Sequence, residues 1–271
     1  MKRMRGIVCA AAAALLVGCD VSNEEEVSLG RENAQKINEA IPLVTDPRAA
    51  GYINALGRSI AARTSRGSLE WHFAIVNSGE VNAFALPGGY IYVNRGLIER
   101  AETLDQLTGV LGHEIGHVVL RHSVEQMKKT TGANIGVTVI CAVTSLCESG
   151  LSQIAISMAG SAILARYSRE DEVEADSQAV INVVNAGFDP AGIPEFFRSL
   201  MEERKHNPGV FDTFFASHPI EESRVSYTRG LIERYDPQRL AQLVSDDAGY
   251  QTFRRIIAAL PPPPPPRPLP R

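Results

Sequence analysis

The chain has 271 residues, of which 44% are hydrophobic and 21% charged, a composition typical of globular proteins that build their own core. This length allows one sizeable domain or two small ones. The formal net charge of −4 argues against nucleic acid as a partner.

The N-terminal segment has the form of a secretory signal. The basic stretch MKRMR precedes about a dozen apolar or small residues, which are too few to span a bilayer as a mature helix. The segment ends in LLVGC, which resembles a bacterial lipobox, where cleavage precedes a lipid-carrying cysteine. We therefore expect residues 1–18 to be a signal peptide, Cys19 to be lipidated and residues 19–30 to be a polar tether. The alternative is an ordinary secretory signal with an incidental Cys19.

Residues 31–258 are predicted to form one domain, mainly α-helical with a small β-sheet (α+β class). Apolar residues at helical spacing indicate two helices before Gly67. The alternating segment LEWHFAIVNS predicts a strand. The sequence Pro87-Gly88-Gly89 predicts a sharp turn between two extended pieces, of which YIYVN is the second.

A long helix is predicted in LDQLTGVLGHEIGHVVLRH, continuing to about Lys128. Thr103 followed by Gln106 has the form of a capping box at its start. Three further helices are predicted, in YSREDEVEADSQAVINVVNAG, in AGIPEFFRSLMEERKHN and after the segment SHPIEESR.

Two segments each allow two interpretations. Residues 131–165 are small and weakly apolar, which fits a pair of core helices or a mobile flap over a site. Cys141 and Cys147 within them could form a disulfide in an oxidising compartment or remain buried thiols. Residues 259–271 are proline-rich and predict a polyproline II or disordered tail.

The long helix carries a pattern typical of a metal site. His113 and His117 are four residues apart, so they project from one helix face and can reach a single zinc ion. Glu114 lies beside them and is predicted to act as the general base. A catalytic zinc commonly has three protein ligands, and Glu172 on a later helix is the predicted third. Asp176 would then accept a hydrogen bond from His113.

The other polar residues near these motifs have simpler interpretations. Neighbouring acidic residues are interpreted as a solvated helix face: Glu170, Asp171 and Glu174. The remaining histidines are interpreted as surface or packing residues: His72, His122 and His206. His122 in particular lies five residues past His117, on a different face of a continuous helix.

The motifs NAFALPGGYIYVNRGLI, GHEIGHVVLRH, EDEVEAD and SHPIEESR, in this order, resemble the bacterial envelope zinc metallopeptidases of the BepA, LoiP and HtpX group. That group is related to mitochondrial Oma-type and CAAX prenyl proteases. The resemblance covers roughly residues 30–235 and implies a gluzincin-type domain that binds one Zn²⁺.

Carried over to this sequence, the resemblance makes His113, His117 and Glu172 the metal ligands. It assigns Asn82 and Arg224 to the substrate cleft. It also places His218 near the metal, either steadying the tetrahedral intermediate or capping zinc as an inhibitory fourth ligand.

These features together predict a zinc endopeptidase, lipid-anchored on the periplasmic side of the bacterial envelope. Its expected role is quality control of misfolded or unassembled envelope proteins, with unfolded or extended polypeptides as substrates and the envelope assembly machinery as a candidate partner. Substrate would add as a strand to the extended segment before Pro87. The alternative is a zinc-stabilised periplasmic chaperone or assembly factor with latent peptidase activity. The sequence does not assign the anchor to the inner or the outer membrane.

Overall fold

The computed structural model describes residues 21–131 and 167–263. The predictions for the signal peptide, for Cys19 and for the pair Cys141 and Cys147 lie outside these residues. The same holds for the segment 132–166 and for the tail from residue 264 onward.

Helices dominate the described part of the chain and surround one small sheet, so the predicted fold class is confirmed. The helices are α1 (Asn23–Ala40), α2 (Pro47–Ala61), α3 (Arg95–Arg100), α4 (Leu104–Val119), α5 (His122–Thr131), α6 (Arg169–Ala186), α7 (Gly192–Arg204), α8 (Pro208–Ser217), α9 (Glu222–Ile232), α10 (Pro237–Leu240) and α11 (Ala248–Ala258). Among the helices of residues 21–131 and 167–263, none has the length and apolar character needed to cross a bilayer.

The sheet has three strands, β1 (His72–Val76), β2 (Ala83–Leu86) and β3 (Tyr90–Asn94), in the order β1-β3-β2. The central β3 runs parallel to β1 and antiparallel to β2. The predicted turn between β2 and β3 is confirmed, and Gly88 and Gly89 adopt φ values of 75° and 97° that favour glycine. In the described part of the chain β2 pairs with β3 alone, so it is an edge strand of this sheet.

The sheet lies between two helical layers. On one face, α1 covers a small apolar cluster through Ala34 and Ile37. On the other face, α2 and α4 contribute to the main core, which extends through α6, α7 and α11. This sandwich packs α4 against the sheet, and α4 carries the two predicted metal-binding histidines.

The first helix begins earlier than the sequence predicted. Residues 23–30, assigned to a flexible tether, form the first half of α1, which starts with a capping box between Ser22 and Glu25. Glu26 in this segment is only 1% exposed. It lies 2.8 Å from both Arg66 Nη1 and Arg121 Nε and accepts a hydrogen bond from the Gly88 amide. A buried carboxylate with these partners fixes the segment to the domain, so the tether prediction is wrong for residues 23–30.

Helix α4 also differs from its prediction at both ends. The Thr103–Gln106 capping box does not form, because the Thr103 hydroxyl bonds Asp105 and Gln106 accepts a hydrogen bond from the Glu102 amide instead. At the other end the helix stops at Val119 rather than near Lys128. Arg121 adopts φ 60°, which interrupts the helix before α5 begins.

Candidate metal centre

Glycines in α4 allow α6 to approach its backbone closely. A Cβ atom at Gly112 would lie 2.8 Å from Val183 Cγ1, and one at Gly116 would lie 3.1 Å from the Ala175 carbonyl oxygen. Any larger residue would push the two helices apart. The close packing brings the histidine pair of α4 opposite the acidic residues of α6.

Four side chains converge where these helices meet. His113 Nε2 and His117 Nε2 are 3.0 Å apart. Glu172 Oε1 lies 3.3 Å from His117 Nε2, and Glu172 Oε2 lies 3.5 Å from His113 Nε2. His218 Nδ1 lies 3.1 Å from Glu172 Oε1. One donor atom from each of the four buried residues lies within 4.8 Å of the other three, so the cluster can hold a metal ion.

Glu114 faces the space between these four side chains but is not one of the donor residues. Its side chain is 1% exposed, and neither carboxylate oxygen has a hydrogen-bond partner among the described residues. The nearest basic atom is His218 Nε2, 3.5 Å from Glu114 Oε1. Burial raises the pKa of Glu114. Such an unpartnered buried carboxylate is costly, and it fits a site where water and a reacting group supply the missing contacts.

Burial and mutual contacts shift the pKa values of the three predicted ligands. Burial opposes the charged form of His113, but hydrogen bonds with Asp176 and Glu172 outweigh it and raise the pKa of His113 to about 10. Burial lowers the pKa of His117. Although burial disfavours its charge, the surrounding histidines hold the pKa of Glu172 well below its ordinary value. An unprotonated imidazole at His117 and an ionised carboxylate at Glu172 are the forms in which these side chains bind a divalent metal.

A second set of contacts, made by Asp176 and Arg224, orients the predicted ligands His113 and Glu172. His113 Nδ1 lies 2.9 Å from Asp176 Oδ1, the contact expected from the sequence. Arg224 donates two hydrogen bonds of 2.7 Å to the Asp176 carboxylate, and its Nη1 lies 2.7 Å from Glu172 Oε2. Arg224 is 5% exposed. The assignment of Arg224 to a substrate cleft is therefore wrong, because its guanidinium is occupied by these two carboxylates.

His218 is placed by the end of α8. It precedes Pro219, and a residue before proline disfavours the helical conformation, so the helix ends there. The His218 amide still donates to the Phe214 carbonyl at 2.7 Å. The imidazole is 2% exposed and packs beside the Phe214 ring, which directs it toward the donor cluster.

His122 makes a contact with the donor cluster that the sequence interpretation did not anticipate. It is 4% exposed, and its Nδ1 lies 2.8 Å from His117 Nδ1. His122 is buried, so of the two interpretations the surface one is wrong. It does not lie on another face from His117 as expected, because the break at Arg121 ends the helical periodicity on which that expectation depended. A helix break at a non-glycine residue leaves no periodic signal in the sequence.

The other candidate residues are not part of the donor cluster. His72 is a partly exposed strand residue beside Glu70, and His206 is exposed at the end of α7. Asn82 directly precedes the edge strand β2 and is 4% exposed, and its side-chain oxygen has no partner within the described ranges. Its place in a substrate cleft stays a prediction.

Comparison with known proteins agrees with this geometry. The model of Peptidase family M48 matches residues 47–232, which include all four donor residues. The chain belongs to this family. The predicted resemblance is thereby confirmed, and the M48 domain described here is a metallopeptidase domain.

Several curated relatives carry protease names. The M48 chain is 29% identical over 233 residues to a putative β-barrel assembly-enhancing protease of Vibrio cholerae, covering 83% of this chain and 48% of that protein. It is 28% identical over 202 residues to the mitochondrial metalloendopeptidase OMA1 of Schizosaccharomyces pombe, covering 74% and 57%. It is 27% identical over 249 residues to the metalloprotease YcaL of Escherichia coli, covering 83% and 96%. The chain thus spans about half the length of the β-barrel assembly-enhancing proteases that it matches.

Proposed function

We propose that this M48 chain is a zinc-dependent endopeptidase of the bacterial cell envelope. The observation that carries the proposal is the convergence of His113, His117 and Glu172 beside the unpartnered carboxylate of Glu114. Zinc suits this set because it combines imidazole nitrogens with carboxylate oxygen, and when bound it would polarise water and the scissile carbonyl.

The protein groups perform the proton transfers. Glu114 accepts a proton from the attacking water and returns it to the leaving amine, a role its raised pKa suits. His218, with its Nε2 directed toward Glu114, donates a hydrogen bond to the developing oxyanion. Asp176, held by Arg224, keeps the His113 ring oriented.

The substrate is an unfolded or extended polypeptide that adds as a strand to β2. Within residues 21–131 and 167–263 this strand is at the edge of the sheet, and the side-chain oxygen of Asn82, just before the strand, has no hydrogen-bond partner there. Main-chain pairing tolerates many side chains but requires an extended substrate. This selectivity suits the removal of misfolded or unassembled envelope proteins.

The cellular setting follows from the N-terminal sequence. A lipid on Cys19 anchors the chain on the periplasmic side of a membrane. The start of α1 at Asn23, four residues after Cys19 in the sequence, supports a position of the domain close to the bilayer surface. Relatives named for β-barrel assembly support the envelope assembly machinery as a partner.

The first test is metal removal. We expect the purified chain to contain one zinc per molecule and to cleave casein. A chelator should abolish cleavage, and stoichiometric zinc should restore it, because the three ligands cannot activate water alone. Mass spectrometry measures the zinc content, and a fluorescent casein assay measures the cleavage rate. Cleavage that persists after the metal has been removed would contradict the proposal.

A latent chaperone or assembly factor is the second candidate function, favoured by the position of His218. Its Nδ1 lies 3.4 Å from His113 Nε2 and 3.1 Å from Glu172 Oε1, so it faces the donor set as a fourth ligand would. A closed set of four ligands leaves no place for water.

His218→Asn separates the two functions by the sign of its effect. The endopeptidase proposal expects kcat/KM for casein to fall by about 10²–10³-fold, the usual loss when one oxyanion donor is removed. A latent site would instead become more active, because the inhibitory ligand is gone. His206→Asn, at an exposed position, is the matched control and should leave the rate unchanged.

A further inference from the structure

His113 and His117 each have a buried partner on the ring nitrogen that faces away from the metal cluster. For His113 this partner is Asp176. For His117 it is His122, with the two Nδ1 atoms 2.8 Å apart and the ring planes inclined at 69°. At this distance one of the two nitrogens must carry the proton and the other must accept it.

We propose that His122 is a positioning residue for the metal ligand His117, an inference that rests on the proposed metal-dependent function. His117 donates its Nδ1–H to His122 Nδ1, which leaves Nε2 of His117 unprotonated and directed at the metal. His122 in turn donates its Nε2–H to Glu174, whose Oε2 lies 3.3 Å away. The chain His117–His122–Glu174 thus fixes both the tautomer and the ring orientation of the ligand.

The backbone is arranged to bring His122 to this place. Arg121 adopts φ 60°, an uncommon conformation for a residue other than glycine. Such conformations persist where surrounding contacts determine them. Here Arg121 Nε lies 2.8 Å from Glu26, and Nη2 donates to the Val21 carbonyl at 2.5 Å. The start of α1 therefore holds the bend that returns His122 toward His117.

A second contact restrains the same imidazole from its face. The Tyr167 ring stacks on the His117 ring, with centroids 3.7 Å apart and planes at 12°. The Tyr167 hydroxyl hydrogen-bonds the Ser123 hydroxyl at 2.9 Å, and Ser123 is the neighbour of His122. His122 thus contacts the edge of the His117 ring and Tyr167 contacts its face. Together these contacts restrict the ring to one orientation, in which Nε2 faces the metal cluster.

Two substitutions at this position distinguish positioning from packing. His122→Leu keeps bulk and removes both nitrogens, whereas His122→Asn keeps an acceptor at the place of Nδ1. We expect H122L to weaken zinc binding by about 10–100-fold, the usual effect of losing an outer partner of a ligand. H122N should bind zinc more tightly than H122L. H72L, at a partly exposed histidine beside Glu70, is the control and should match the wild type.

Zinc dissociation constants from competition with a chromophoric chelator measure these effects, and thermal unfolding of each metal-free chain reports stability separately. Equal affinity of H122L and wild type would overturn the positioning role while leaving the proposed function intact. Equal weakening in H122N and H122L would overturn the role of Nδ1. A wild-type chain that binds no zinc would overturn the proposed function itself, and the positioning role with it.

The zinc-loaded wild-type chain provides a measurement that does not depend on the folding of any variant. In ¹⁵N-labelled protein, a scalar coupling across the N–H···N bond should connect Nδ1 of His117 to Nδ1 of His122. Absence of this coupling, when the His117 Nε2 resonance shows metal ligation, would overturn the proposal.

Discussion

Glu114→Gln is expected to lower kcat/KM for an unfolded substrate by about 10²–10⁴-fold, the range that a general base contributes. Glutamine keeps the shape of the side chain but cannot accept the proton from water. Zinc binding should persist, because Glu114 is not among the four donor residues that converge in the structure. Casein cleavage and metal content, measured on the same preparation, test both parts of this prediction.

The matched control is Glu170→Gln. Glu170 is an exposed acidic residue of α6, so its substitution should leave both cleavage and zinc content unchanged. If Glu114→Gln digested casein at the wild-type rate, the assignment of the base would be wrong. If it lost its zinc, Glu114 would be a ligand instead.

Arg224→Met should lower the free energy of unfolding of the zinc-loaded chain by about 3–5 kcal/mol, because it leaves buried carboxylates without their partner. Arg224 bonds both oxygens of Asp176, contacts Glu172 and donates to the Pro219 carbonyl at 2.9 Å. Arg224→Lys should recover only part of the loss, since an ammonium group cannot make the bidentate contact.

Urea unfolding measures these differences, with Arg229→Met as the control on the same helix. Arg229 is exposed in α9, and its substitution should change stability by less than about 0.5 kcal/mol. An Arg224→Met chain as stable as the Arg229→Met chain would show that the guanidinium does not hold the two carboxylates.

The sequence sufficed to predict the centre of the site because the relevant spacings are set by helix geometry. His113 and His117 share a face through their separation of four residues, and Glu172 and Asp176 do the same on α6. The hairpin at Gly88 and Gly89 was predictable for a similar reason, since its backbone conformation favours glycine.

The errors concern features that depend on tertiary contacts. Arg121 adopts its conformation because Glu26 and the Val21 carbonyl hold it, and no local pattern encodes a contact across about a hundred residues. The contact between His122 and His117 was not predicted for that reason. The acidic segment before residue 30 suggested a solvated tether. It is helical from Asn23 onward because Glu26 is buried against Arg66 and Arg121.

Arg224 illustrates a different limit. Its place after the SHP motif indicated proximity to the site, but sequence alone cannot tell whether an arginine faces the substrate or the ligands' carboxylates. The glycines of α4 were a usable signal, because Gly109, Gly112 and Gly116 repeat at helical spacing on the face that meets α6 and α7.

The most direct test of the metal centre is an anomalous difference map from crystals of the zinc-loaded chain, with data recorded on both sides of the zinc absorption edge. One peak should appear between Nε2 of His113, Nε2 of His117 and the carboxylate of Glu172. A map with its zinc peak elsewhere, or with Glu172 outside the coordination shell, would contradict the assignment of this site as the catalytic centre.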